Sequence, residues 1–118
     1  MKVLFVSGSK NDVVQLWYSS GCHLEHNFEH ITITTIDSLL GKIRAIEPDV
    51  IVVSYNVGSQ SHTGVDVALL VQEDFSEITL VENTVASEES FSHRDVKVEF
   101  NVECDPEKLA RFLKGVAA

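Results

Sequence analysis

Long hydrophobic runs are missing from this sequence. No apolar stretch approaches the length of a membrane span, so membrane insertion is not expected. Basic residues are scarce, nine against eighteen acids, and the formal net charge is −9. They form no stripe, and an acidic surface repels phosphate backbones, so direct nucleic-acid binding is not expected either. Cysteine is limited to Cys22 and Cys104, each isolated. The N-terminus MKVLFVSGSKND has one lysine and an apolar run too short for a signal peptide, with no small-residue cleavage site. It reads instead as a first strand of a cytoplasmic protein, in which two free thiols are expected rather than a disulfide. No repeat, linker or low-complexity segment divides the 118 residues, which suit one domain, 1–118.

What remains is a strand–helix alternation from end to end. Lys2–Ser7 reads as a strand, apolar from Val3 to Val6. Asn11 or Asp12 can cap a helix carrying Val13, Val14, Leu16 and Trp17, with Trp17 in the core and Tyr18 exposed as an anchor for a partner. After a polar loop, His30–Ile36 (HITITTI) is β-branched and alternating, a strand with one wet face. Asp37 is expected to cap the next helix, with Leu39, Leu40, Ile43 and Ile46 on one side and Pro48 beyond its end. Asp49–Ser54 is a third, continuously apolar strand. Thr63 and Asp66 have capping-box spacing and open a helix through Phe75. Glu77–Glu82 and Val96–Val102 are the last two strands, separated by a polar stretch, Thr84–Arg94, too poor in apolar residues to be given a helix. Asp105 and Pro106 supply an N-cap and a first-turn proline for a final helix buried through Leu109, Phe112, Leu113 and Val116.

Five strands alternating with helices make a parallel sheet covered on both faces. The first and third strands are apolar throughout, as central strands must be, whereas the second and fifth alternate as edge strands do. That predicts the order 2-1-3-4-5, a flavodoxin-like doubly wound sheet, with another five-strand order as the alternative. A site is expected beyond the carboxyl ends of the first and third strands, where the order reverses.

With these elements in place the chain resembles the response-regulator receiver (CheY-like) domain over its whole length. Three segments carry the resemblance: EPDVIVVS at Glu47–Ser54, Thr63–Gly64 leading into VDVALLV, and CDPEKLARFL at Cys104–Leu113. The family implies two acids after the first strand that hold magnesium, a phosphoacceptor aspartate ending the third, a Thr or Ser ending the fourth and a Lys ending the fifth. Those places fall on Ser7 and Gly8, on Ser54, on Glu82 beside Asn83, and on Asn101 or Val102. None matches. A hydroxyl and a glycine cannot replace two carboxylates around a hard cation. Serine cannot form an acyl phosphate, and a glutamate repels a phosphoryl group. The resemblance thus implies a degenerate pseudo-receiver, a fold without phosphotransfer, cofactor or catalysis.

Three further groups carry residue types suited to ligands or nucleophiles. Ser7, Gly8, Ser9, Lys10 and Asn11 could form an anion-binding turn at a helix N-terminus. They lack the dinucleotide fingerprint and the P-loop lysine spacing, so a capped strand-to-helix turn is the favoured reading. Cys22, His23, His26 and His30 are good ligand types for a transition metal, but they fall on a polar loop, and a surface loop with ordinary histidines is favoured. The hydroxyl-rich loop after Ser54 lacks the glycine frame of a nucleophile elbow.

The expectation is therefore a non-enzymatic signalling module that works through a protein partner or self-association. The alternative is a flavodoxin-like domain binding a small molecule or a phosphate-bearing ligand at the first and third strand ends.

Overall fold

The structure, a computed structural model, describes residues 1–33, 35–85, 91 and 96–117. They form β1 (Lys2–Val6), α1 (Lys10–Ser20), β2 (Asn27–Ile31), α2 (Ile36–Ile46), β3 (Val50–Ser54), α3 (Gly64–Asp74), β4 (Thr79–Asn83), β5 (Phe100–Asn101) and α4 (Pro106–Ala117), with a 3-10 turn at Cys22–Leu24. The five strands make one all-parallel sheet in the order β2-β1-β3-β4-β5, as the strand types predict.

Because side chains alternate across a strand, the apolar runs of β1 and β3 feed two separate cores. Leu4, Val6, Ile51 and Val53 face α2 and α3, meeting Leu39, Ile43, Val67 and Val71. Val3, Phe5, Val50 and Val52 face α1 and α4, meeting Val13, Leu16, Trp17, Leu109 and Leu113. Trp17 is 1% exposed and packs edge-on against Phe5, with ring centroids 5.9 Å apart. Tyr18, next to it, points outward and is 54% exposed. Both cysteines are free thiols, Cys22 buried and Cys104 at the surface.

Several boundaries differ from the sequence expectation, and each has a local cause. Ser9 caps α1, not Asn11 or Asp12: its hydroxyl accepts from the Asp12 N–H at 3.3 Å. The second strand lies at Asn27–Ile31 rather than His30–Ile36. Its polar edge sequence NFEHI is anchored by Phe28 against Phe5 and Trp17. Beyond Ile31 the chain leaves the ladder. The Ile33 N–H donates to the Val57 carbonyl at 3.0 Å, its side chain is fully buried, and Thr35 rather than Asp37 caps α2. The fourth strand starts two residues late and runs one residue further than expected, to Asn83.

The fifth strand is reduced to Phe100–Asn101. Val96 is instead buried with the α2/α3-side core, and the Lys97 N–H is taken by the Gln72 side chain at 2.9 Å. The capping box of Thr63 and Asp66 is present as predicted, and Asp105 accepts the Glu107 N–H at 2.9 Å to start α4. Most of the polar stretch Thr84–Arg94, and Thr34 of the expected second strand, lie outside the described residues. Among the described residues no helix is long and apolar enough to cross a membrane.

Candidate functional site

The carboxyl ends of β1, β3 and β4 open onto a cavity of about 230 Å³ lined by Ser7, Ser9, Asp12, Ser54, Asn83 and Thr84, among others. Its position at the point where the strand order reverses is the one the topology favours for a ligand or modification site. Its walls are built differently on the two sides.

On the β1–β3 side the wall is hydroxyl and backbone. Ser7 is buried, and its hydroxyl accepts from the Ser9 N–H at 3.2 Å. Its N–H donates to Ile31, and its carbonyl accepts from His30 Nε2 at 2.8 Å, which fixes the proton on that nitrogen because a carbonyl only accepts. Gly8 donates its N–H to the Asn56 carbonyl at 2.8 Å. A Cβ on Gly8 would stand 2.6 Å from Asn56 Oδ1 and 3.1 Å from the Gly58 nitrogen. The Asn56 side chain is held there by the Gly58 N–H at 2.9 Å. The second acidic place implied by the family resemblance is thus closed to any side chain while Asn56 stays. Ser54 ends β3 beside Asn83 of β4, and its carbonyl presses on α3: a Cβ on Gly64 would come within 2.0 Å of it.

On the β4–β5 side the wall is a polar network facing inward. Glu82 is 2% exposed and does not line the cavity. Its carboxylate accepts from the Thr84 hydroxyl and from the Phe91 N–H at 3.2 Å. Asn101 completes the network. Its amide nitrogen donates to the Thr84 carbonyl at 3.1 Å and to the Thr84 hydroxyl oxygen at 3.3 Å, and its oxygen accepts from the N–H groups of Thr84 and Glu103. Val102 is wholly buried in the α1/α4-side core. Neither Asn101 nor Val102 brings a cation to the site. At the β4 end Asn83, Thr84 and Val85 do reach the cavity, and Thr84 was not expected there from the sequence. The signal for it was the extra strand residue, which carries the hydroxyl past the expected end of β4.

A second cavity of about 430 Å³ adjoins the first and shares Asp12, Asn83 and Cys104 with it; Gln15, Leu16, Ser19 and Pro106 complete its lining. Asn83 Oδ1 accepts from the Cys104 N–H at 2.7 Å. Partial enclosure of the Cys104 sulfur raises its thiol pKa above the ordinary value. A hydrogen bond with Asn83 works against that rise, and the Asp12 carboxylate adds to it. Burial likewise pushes up the Cys22 thiol.

The remaining groups named from the sequence do not converge. In the turn Ser7–Asn11 the Gly8 and Ser9 N–H groups go to protein acceptors, as do those of Asp12 and Val13 just after it, and Lys10 is exposed. That leaves Lys10 and Asn11 as the turn's remaining donors. His23 stacks near Tyr18 with centroids 4.7 Å apart, His26 approaches the terminal amine, and His30 binds Ser7. Among the described residues no group of three His, Cys, Asp or Glu is placed to hold a metal.

No protein-family model matches the chain, and no curated protein matches it in sequence. Solved structures do match in three dimensions. The chemotaxis response regulator CheY4 of Vibrio cholerae is 20% identical, with 98% of this chain and 97% of that one covered at a TM-score of 0.72. The N-terminal signal receiver domain of a two-component response regulator from Bacteroides fragilis is 17% identical, covering 99% and 96% at 0.74. A LuxR-family DNA-binding response regulator from Staphylococcus aureus is 15% identical, covering 99% and 98% at 0.71. At these identities the likeness is one of fold: the chain has the response-regulator receiver fold.

Proposed function

We propose that this chain is a receiver-like signalling domain that works without phosphotransfer, by binding a protein partner or a second copy of itself. The observation that carries the reading is the makeup of the pocket at the sheet's carboxyl end. Ser7 and Gly8 stand where two magnesium-binding acids would be needed, and Asn56 fills the space over Gly8. Ser54 stands where an acyl phosphate would form. The β5 end supplies a buried valine and an amide engaged with Thr84 and Glu103 in place of a cation. A phosphoryl group in this cavity would meet Asp12 and no positive side chain among the described residues. The net charge of −9 argues against direct contact with nucleic acid and favours partners that carry positive charge.

A phosphate-bearing ligand at the same place is less well supported, since three of the turn's N–H groups, those of Ser7, Gly8 and Ser9, are already bonded within the protein. The test is an amide NMR titration with magnesium and then beryllofluoride. The expected result is no saturable movement at Ser7, Gly8, Ser54 or Asn83. Saturable shifts there would sink the proposal and make the pocket an active anion or metal site.

A further inference from the structure

We propose that the cleft between α1 and the β5–α4 turn binds an organic cation, a guanidinium or alkylammonium group on a short apolar stem, with Asp12 as its counter-charge. The two adjoining cavities share Asp12, Asn83 and Cys104 as a common wall. Together they span a volume in the range of small-ligand sites. Their chemistry is one-sided. Asp12 supplies a carboxylate, and Gln15, Ser19, Asn83 and Ser9 supply neutral polar groups. Lys, Arg and His are missing from the lining of both cavities among the described residues.

Asp12 is exposed, and no ion pair to it exists among the described residues. Its backbone N–H is bound to Ser9, which fixes the residue on the first turn of α1 and leaves the carboxylate free to serve the cleft. The field of that carboxylate reaches Cys104 across the cleft, where it disfavours a thiolate. The same field favours a cation. Leu16 and Pro106 give the larger cavity apolar surface on opposite walls, against which a methylene stem can lie while the charged head meets Asp12. An anion has no such match.

The inference rests on the absence of phosphate proposed above, because a phosphorylated pocket would set an anion beside Asp12. The two can still fail separately. A beryllofluoride response at Ser54 would overturn the first reading. The present one is read with different probes.

The experiment titrates the isotope-labelled chain with butylguanidinium chloride, with an uncharged heptapeptide scaffold bearing one central arginine, and with sodium phosphate, at constant ionic strength. Saturable amide shifts are expected at Asp12, Gln15, Ser19, Asn83 and Cys104 with the two guanidinium probes. They should be lost in Asp12→Asn and in Gln15→Lys, whose spectra otherwise retain the dispersion of the folded chain. Peptide binding at least tenfold tighter than butylguanidinium identifies a partner's arginine or lysine as the source; equal or weaker peptide binding identifies a free small cation. No saturable shift with either guanidinium probe, shifts that survive Asp12→Asn, or a phosphate response at these residues would overturn the proposal.

Discussion

The two walls of the pocket are held by different physical means. On the β1–β3 side the backbone and its packing shape the wall. Gly8 sits so close to the Asn56 side chain that an acid cannot be added there while Asn56 stays. On the β4–β5 side a polar network shapes it. The Glu82 side chain lies inside the fold, held among the described residues by a hydroxyl and an N–H. Steric closure can be relieved by one compensating substitution. A buried, hydrogen-bonded side chain is coupled to several groups at once and does not yield to a single change.

Gly64 is where the two halves touch, so the largest effect is expected there. Alanine would normally favour a helix by about 1 kcal/mol over glycine. Here its Cβ would sit 2.0 Å from the Ser54 carbonyl oxygen and 2.8 Å from the Phe91 ring. Gly64→Ala should therefore lose about 3 kcal/mol in urea unfolding, and a neutral result would mean the two halves are not in contact. Next comes the β4–β5 half alone. Glu82→Ala removes the acceptor of two buried donors, Thr84 Oγ1 and Phe91 N, and should cost about 2–3 kcal/mol.

The β1–β3 half is tested by a double-mutant cycle. Gly8→Ala should cost about 1–2 kcal/mol, and much of that cost should vanish in an Asn56→Ala background. Additive costs would show that Asn56 is not what closes the site. Glu47→Gly is the control far from both halves. Glu47 ends α2 with φ 53° and ψ 58°, so glycine there should stabilise by about 0.5–1 kcal/mol and leave the pocket resonances unmoved.

The smallest expected effect concerns Cys104, at the border between the walls. Its raised pKa keeps the thiol protonated further into alkaline pH than in the unfolded chain. Any stability tied to that shift is therefore present below the ordinary thiol value and lost as pH climbs through the folded one. Iodoacetamide should alkylate it more slowly at pH 8 than in urea, and Asp12→Asn should speed the folded reaction, since the carboxylate is one cause of the rise.

Much of the fold was legible because its strongest determinants are local. VLFV and VIVV can only be strands buried on both faces, and they lie at the centre of the sheet. Thr63 and Asp66 announce α3 by spacing alone, and Asp105–Pro106 announces α4. The errors came where a distant partner outbid local preference. HITITTI has every mark of a strand, yet Ile33 is drawn under the Val57 loop and Thr35 is used as a cap. Val96–Val102 alternates well, yet Gln72 takes the Lys97 N–H and only Phe100–Asn101 pair with β4. At the site, the residue types at Ser7, Gly8, Ser54, Asn101 and Val102 could be read directly. That Asn56 lies over Gly8, and that Glu82 turns inward to Thr84, depends on side-chain directions that no spacing encodes.

The brevity of β5 has a consequence for how the molecule opens. Two ladder residues attach it to β4, while α4 is seated on α1 and the second core through Leu109 and Leu113. The C-terminal segment from Phe100 onward is thus tied to the sheet by few backbone bonds, and it is expected to open before β1, β3 and the α2/α3-side core do. Amide exchange should register this as a separate, earlier opening of α4. Each opening would bare Phe5, Val52 and Val81 to solvent, a transient apolar face on the same side as the α1 cleft.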